Sequence, residues 1–332
     1  MSLGYQIVQE LQSAPPDGAW AAIFDCAWDI CCQPIDEGKA AAEVARRDRA
    51  VGDFDQYLAT AGWDLWRDYE AAVPLTSDTL AGWWAAQPAG RAVLILDGLS
   101  LREVPWLLAG ATKHGFLVHN SAVNGAELPA DTSPFAKSLG FAQRSALGNN
   151  CAGGSHKLAG ARTECSDIPW EDCAALVGSE PRWVFWHYWP DCRFEHHGDA
   201  GKGLSSLTEE VVGHLTSDGF WKLASRLAEG RRLVVTSDHG YAASGLFPDS
   251  DKDQTEYLRT VFKSGRCNSA AREPGPWTPP LDLLLDTRHG SSLFVNGRRK
   301  WKSTGGYPTI THGGLSILEV AVPWIELTKG GE

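Results

Sequence analysis

The sequence is short of methionine, with one in 332 residues, against fifteen tryptophans. It has no stretch approaching the ~20 apolar residues that a membrane-spanning helix needs. The opening MSLGYQIVQELQSAPPDG has neither a basic start nor a long apolar run, so no secretory signal peptide is expected. Positive charge is also scarce: 30 Lys and Arg against 41 Asp and Glu leave a net charge of −11. That balance disfavours broad electrostatic binding to duplex nucleic acid. A small anionic substrate stays compatible, because bound metal ions invert the local field. The eight cysteines are Cys26, Cys31, Cys32, Cys151, Cys165, Cys173, Cys192 and Cys267. They lack zinc-finger spacing, and a chain of this size builds a core without disulfides. Reduced thiols in the cytoplasm are the expectation.

What is present is a repeated local pattern. RLVVTSDHGY, Arg231 to Tyr241, reads as a short apolar strand running into a polar turn that carries Asp238, His239 and Gly240. Side chains alternate faces on a strand, but on a turn just beyond it they can converge. A carboxylate beside an imidazole suits a Zn²⁺-like ion. The carboxyl ends of parallel strands are where open α/β folds place ligands. Alone, Asp-His-Gly is more simply a solvated turn. Three further segments share its shape. RAVLILDGLS ends an apolar run on Asp97 and Gly98. PRWVFWHYWPDCRFEHHGD places Asp191, Glu195, His196, His197 and Asp199 beyond a strand from Trp183 to about Tyr188. TITHGGLSILEVAVPWIEL sets His312 before two glycines. Together these clusters could supply a two-metal site of the kind used in phosphoryl displacement.

The DG after an apolar strand, the TSDHG turn and the THGG…VPWI tail resemble the PglZ domain, a member of the alkaline phosphatase superfamily. The resemblance spans roughly Arg91 to Thr328. It implies a mostly parallel sheet sandwiched by helices, two divalent ions, and a Ser or Thr nucleophile in a turn at a helix N-terminus. Thr132 fits that place first, Ser133 second, and Ser100 matches the family order less well. Asp131, Thr132 and Ser133 also read as plain helix caps. In much of the superfamily the Asp corresponding to Asp191 is followed four residues later by His. Here position 195 is Glu, so His196, then His197, then Glu195 are the candidate partners, with Gly198-Asp199 as another. The implied metal set is Asp97, Asp191, His196 or His197, Asp238, His239 and His312. Its mix of Asp and His suits Zn²⁺ best and Mn²⁺ next. Cys192 is a weaker candidate ligand.

The remaining organisation follows from spacing. Residues 1–90 read as a helical N-terminal subdomain or lid, and the resemblance implies that 91–332 is a PglZ/alkaline-phosphatase-like catalytic domain. An irregular Pro-rich insertion is expected at 246–289. SSLFVNGRRKWKS reads as a hairpin turning at Asn296-Gly297, with Arg298, Arg299, Lys300 and Lys302 at a solvated tip or gripping a nucleotide tail. Ser206-x-x-Glu209 reads as a capping box. His187 reads as a packed core histidine, and most tryptophans as packing rather than base-stacking surfaces. The function implied by the resemblance is a phosphodiesterase acting on nucleotides or short oligonucleotides, in anti-phage defence or signalling with defence-system partners. A sulfatase is disfavoured, because no Cys/Ser-x-Pro-x-Arg signature occurs. The rival is an inactive scaffold or nucleotide-binding module.

Overall fold

The computed structural model describes residues 5–36, 38–86, 90–152, 154–197, 203–244, 250–270, 272–303, 306 and 309–330. The chain opens with α1 (Tyr5–Ser13), α2 (Pro16–Cys31), α3 (Ala40–Thr60), α4 (Leu65–Ala72) and α5 (Thr76–Ala85). Next come β1 (Arg91–Leu96), α6 (Val104–Lys113), β2 (Phe116–Gly125), α7 (Thr132–Leu139), β3 (Arg162–Ser166), α8 (Trp170–Cys173) and β4 (Arg182–His187). They are followed by α9 (Gly203–Leu215), α10 (Asp218–Ala228), β5 (Arg232–Thr236), β6 (Ala242–Ala243) and α11 (Lys252–Phe262). The last elements are β7 (Cys267–Asn268), β8 (Asp282–Thr287), β9 (Gly290–Val295), β10 (Ile310–Thr311), α12 (Ile317–Val320) and β11 (Ala321–Lys329).

The expected α/β architecture is present: a central sheet of order β2-β11-β5-β1-β4-β3, flanked by helices. β5, β1, β4 and β3 run parallel, and β11 is antiparallel to both its neighbours. β1 shows why its sequence is continuously apolar. Ala92, Leu94 and Leu96 enter the core on one face, while Val93 and Ile95 enter a second core on the other. A strand covered on both faces has no polar side to present.

The N-terminal helices pack into the first of these cores through Trp20, Phe24, Val51, Trp66 and Tyr69. The Tyr69 hydroxyl donates to the carbonyls of Ala126 (3.0 Å) and Val320 (3.3 Å), tying α4 to the sheet. Buried ion pairs add to this. Asp48 on α3 takes Arg102 and Arg298, and Asp55 takes Arg298. These contacts fasten the helical segment to the sheet domain.

Three local expectations are corrected. The hairpin is formed by β8 and β9, with Asp282 paired to Val295 and Thr287 to Gly290, so it turns at Arg288-His289. Asn296-Gly297 instead leads the chain away from β9, with Gly297 at φ 75°. Arg298 is therefore not at a solvated tip but buried between Asp48 and Asp55. The segment 246–289 is not uniformly irregular, since it holds α11, β7 and β8; residues 246–249 and 271 lie outside the described ones. Ser206 lies inside α9, which starts at Gly203, so it caps nothing. A capping box does occur at Ser100 and Glu103. No described helix is long and apolar enough to cross a membrane.

Candidate metal centre

β5, β1 and β4 lie side by side and parallel, so their carboxyl ends emerge together. Asp97 directly follows β1, Asp238 follows β5 by two residues, and Asp191 follows β4 by four. Backbone bonds fix these turns to one another. The Asp97 N–H donates to the His187 carbonyl and the Asp191 N–H to the Asp97 carbonyl, each at 3.0 Å. The Ser237 hydroxyl donates to the Leu96 carbonyl at 2.8 Å, joining the end of β5 to that of β1.

Two glycines are required here. Gly98 sits at φ 74°, in the left-handed region, and its N–H donates to Asp238 Oδ1 at 3.0 Å. Gly240 lies against the backbone of Leu318, where a Cβ would come within 2.3 Å of the carbonyl oxygen. That approach lets the Gly240 N–H donate to the Glu319 carbonyl at 2.8 Å. His312 arrives by a different route. β6 leaves the Asp238–Tyr241 turn and pairs antiparallel with β10, Thr311 opposite Ala242. The residue after β10 thereby lands beside His239, and the two imidazoles stack at 4.2 Å.

The result is two groups that share His239: Asp97, Asp238 and His239, and Asp191, His239 and His312. Within each, one ligand atom per residue lies within 4.8 Å of the others. The first group is fully buried, while Asp191 and His312 are half-buried on the open side. His312 Nε2 stands 3.2 Å from Asp191 Oδ1. His239 Nε2 stands 3.6 Å from Asp97 Oδ1 and 3.5 Å from Asp238 Oδ2.

Hydrogen bonding sets both rings the same way. His239 Nδ1 is 2.9 Å from the Gly240 carbonyl, and His312 Nδ1 is 3.3 Å from the Ala130 carbonyl. A carbonyl only accepts, so each Nδ1 carries the proton and each Nε2 faces the carboxylates. Metal-binding histidines are oriented this way. Asp238 Oδ2 and His239 Nε2 are buried without a hydrogen-bond partner among the described residues. Unpaired buried polar atoms are costly, and a cation between them would satisfy both.

The electrostatics agree. Burial pushes the Asp97 carboxyl well above the usual range, and the neighbouring Asp238 and Asp191 carboxylates push it further, against Arg144. Burial opposes charge on His239, but Asp238 and Asp191 outweigh it and raise its pKa. His312 is likewise raised, with Asp191 overcoming burial and His239. Carboxylates held this close call for positive charge, and without a metal they draw it from protons. The donor set, three carboxylates and two imidazoles, is one that could hold a metal ion.

Thr132 opens α7, and its hydroxyl donates to both oxygens of Asp97, at 3.3 and 3.4 Å. Asp131 caps the same helix by accepting the Ser133 N–H at 3.3 Å. Ser133 itself is exposed, and Ser100 is buried in its capping box. Neither His196 nor His197 joins Asp191. His196 is exposed, and His197 is engaged by Ser206 (2.9 Å) and Glu210 (2.8 Å) of α9. The short helical turn Asp191–His197 carries both histidines away from the strand end. Glu195 and Cys192 are exposed, and Gly198-Asp199 lie outside the described residues. His187 is buried and stacked on Trp170 at 3.8 Å.

Two neighbours of Asp97 are invisible in the sequence pattern. Trp186 Nε1 donates to Asp97 Oδ2 at 3.1 Å from within β4. Arg144 pairs with the same oxygen and lies over the Tyr188 ring, 3.7 Å from its centroid. The only sequence signal is that Trp186 stands one pleat from the strand's end, and Arg144 carries none. Trp183, Trp189, Trp301 and Trp324 are buried packing residues. Compared with known proteins, the chain matches no family model and no curated protein.

Proposed function

We propose that the chain is a metal-dependent phosphohydrolase of the PglZ-like, alkaline phosphatase type, more a phosphodiesterase than a monoesterase, acting on nucleotides or short oligonucleotides. The observation that carries this reading is the Thr132 hydroxyl at 3.3 Å from Asp97, inside the Asp/His cluster and at the N-terminus of α7. A nucleophile there has an adjacent carboxylate to take its proton, and the helix end favours an anionic group in front of it. Two divalent ions bound by the two groups would lower the pKa of the hydroxyl and neutralise phosphoryl charge. Asp97, Asp238 and His239 would hold the inner ion, and Asp191 and His312 the outer one. Thr132 attacks phosphorus and gives its proton to Asp97. One ester oxygen leaves with the electron pair of its bond to phosphorus and takes a proton from water. A further water then cleaves the bond between Thr132 and phosphorus to release the phosphate monoester that keeps the second ester group.

One observation favours a second reading. With His196 and His197 directed elsewhere, the outer group has only Asp191 and His312 of its own and shares His239. Such a centre also suits a nucleotide-binding module that carries a metal without turning over. Hydrolysis of bis-p-nitrophenyl phosphate with Zn²⁺ or Mn²⁺ separates the two. Turnover is expected, and Thr132→Ala is expected to lower kcat on the order of 10³-fold or more with metal content unchanged. Metal-loaded protein inert toward mono- and diesters would leave the binding module standing.

A further inference from the structure

We propose that Arg144 is the residue that receives the anionic oxygens of the substrate's phosphoryl group. The proposal rests on the phosphohydrolase reading and adds a binding residue to it.

Arg144 and the Thr132 hydroxyl meet on one carboxylate. The guanidinium pairs with Asp97 Oδ2, and Thr132 Oγ1 lies 3.4 Å from that same oxygen. A phosphoryl group presented to Thr132 is therefore presented to Arg144. The arginine also reaches the solvent side: its side chain is 22% exposed, whereas that of Asp97 is 0% exposed. The Tyr188 face, 3.7 Å from the guanidinium, holds its plane. A stacked arginine keeps its edge for hydrogen bonding, and its fork of donors matches two oxygens of a phosphate. Asp97 is its one carboxylate partner among the described residues.

Charge balance explains why the pairing with Asp97 would yield. Among the described residues Asp97, Asp191 and Asp238 face a single arginine, which leaves the cluster short of permanent positive charge. Arg144 makes up part of that deficit. A divalent ion sharing Asp97 would weaken the carboxylate's hold on the guanidinium and would leave an incoming oxyanion as the better partner. The competing explanation is that Arg144 only braces Asp97 as a ligand from behind. In that case its loss would weaken metal binding.

The two explanations separate in calorimetric titrations of wild type, Arg144→Gln and Arg144→Lys. Zinc is titrated into metal-free protein, and inorganic phosphate into the zinc-loaded protein. For Arg144→Gln, zinc affinity within about threefold of wild type, or tighter, is expected, with phosphate binding weakened roughly 10- to 100-fold. Arg144→Lys should recover part of the phosphate affinity, since it keeps the charge without the fork, and it carries the test if the Gln variant fails to fold. Phosphate affinity changed by less than about threefold, or zinc affinity reduced about tenfold or more, would overturn the assignment. If wild type takes up no zinc, it is the hydrolase reading that fails. Zinc-loaded wild type whose phosphate affinity ignores residue 144 refutes this inference alone.

Discussion

Replacing Arg298 by Met should destabilise the whole molecule. Arg298 is buried, with Nε 2.6 Å from Asp55 Oδ2 and Nη1 2.6 Å from Asp48 Oδ1. Asp48 keeps Arg102 when Arg298 is removed. Among the described residues Asp55 then keeps only the Ile317 N–H, at 2.7 Å, and becomes a buried carboxylate without a counter-charge. Breaking one side of a buried ion pair costs about 3–5 kcal/mol. At roughly 2.1 cal/mol/K per residue, 332 residues give an unfolding entropy of about 0.7 kcal/mol/K. The expected fall in Tm is therefore about 4–7 °C. Arg298→Met combined with Asp55→Asn should recover about 2 kcal/mol, because the amide can still accept from Ile317 and no charge is stranded. Urea and thermal unfolding at pH 7 read both variants. A loss below about 1 kcal/mol, or a double variant less stable than the single one, would refute the claim that this network fastens the N-terminal helices to the sheet.

Glu127 should make stability depend on pH. Burial pushes its carboxyl up to about 7 from 4.5, against the hydrogen bond from Ser77. A raised carboxyl contributes stability fully below about pH 4.5 and loses it as pH rises to about 7, a change on the order of 3 kcal/mol. Glu127→Gln should flatten the Tm profile between pH 5 and 7, though only in part, since burial also raises Glu103 to about 7; an unaltered profile would contradict this. Gly110→Ala on α6 should destabilise by about 1–3 kcal/mol despite a gain in helix propensity of about 1 kcal/mol. The new methyl would stand 2.3 Å from the buried Trp221 ring, and an unchanged or raised Tm would show that the ring gives way.

The strand-end turns were legible because their signal is local. An apolar run followed by Asp-Gly or Asp-His-Gly marks where a covered strand stops, and parallel neighbours then bring such ends together. Asp97, Asp191, Asp238 and His239 meet for that reason, and the antiparallel pairing of β10 with β6 adds His312. The partner of Asp191 was not legible from position alone. His196 and His197 are near it in sequence, but a helical turn hands His197 to Glu210. Arg144 and Trp186 reach Asp97 only through tertiary packing, and no spacing rule points to either. Asn296-Gly297 is a strong hairpin signal, yet the hairpin closes one turn earlier. Arg298 is drawn inward by two buried carboxylates instead of projecting to solvent. Local turn chemistry did not contain that ion pair, because its other half sits more than two hundred residues away on α3.

The central claim is that these turns hold divalent cations, and elemental analysis tests it most directly. Protein loaded with zinc and desalted is predicted to retain two ions per chain, and Asp238→Asn to lose metal while remaining folded. Wild type that retains none at micromolar zinc, or a metal content indifferent to Asp238→Asn, would contradict the account.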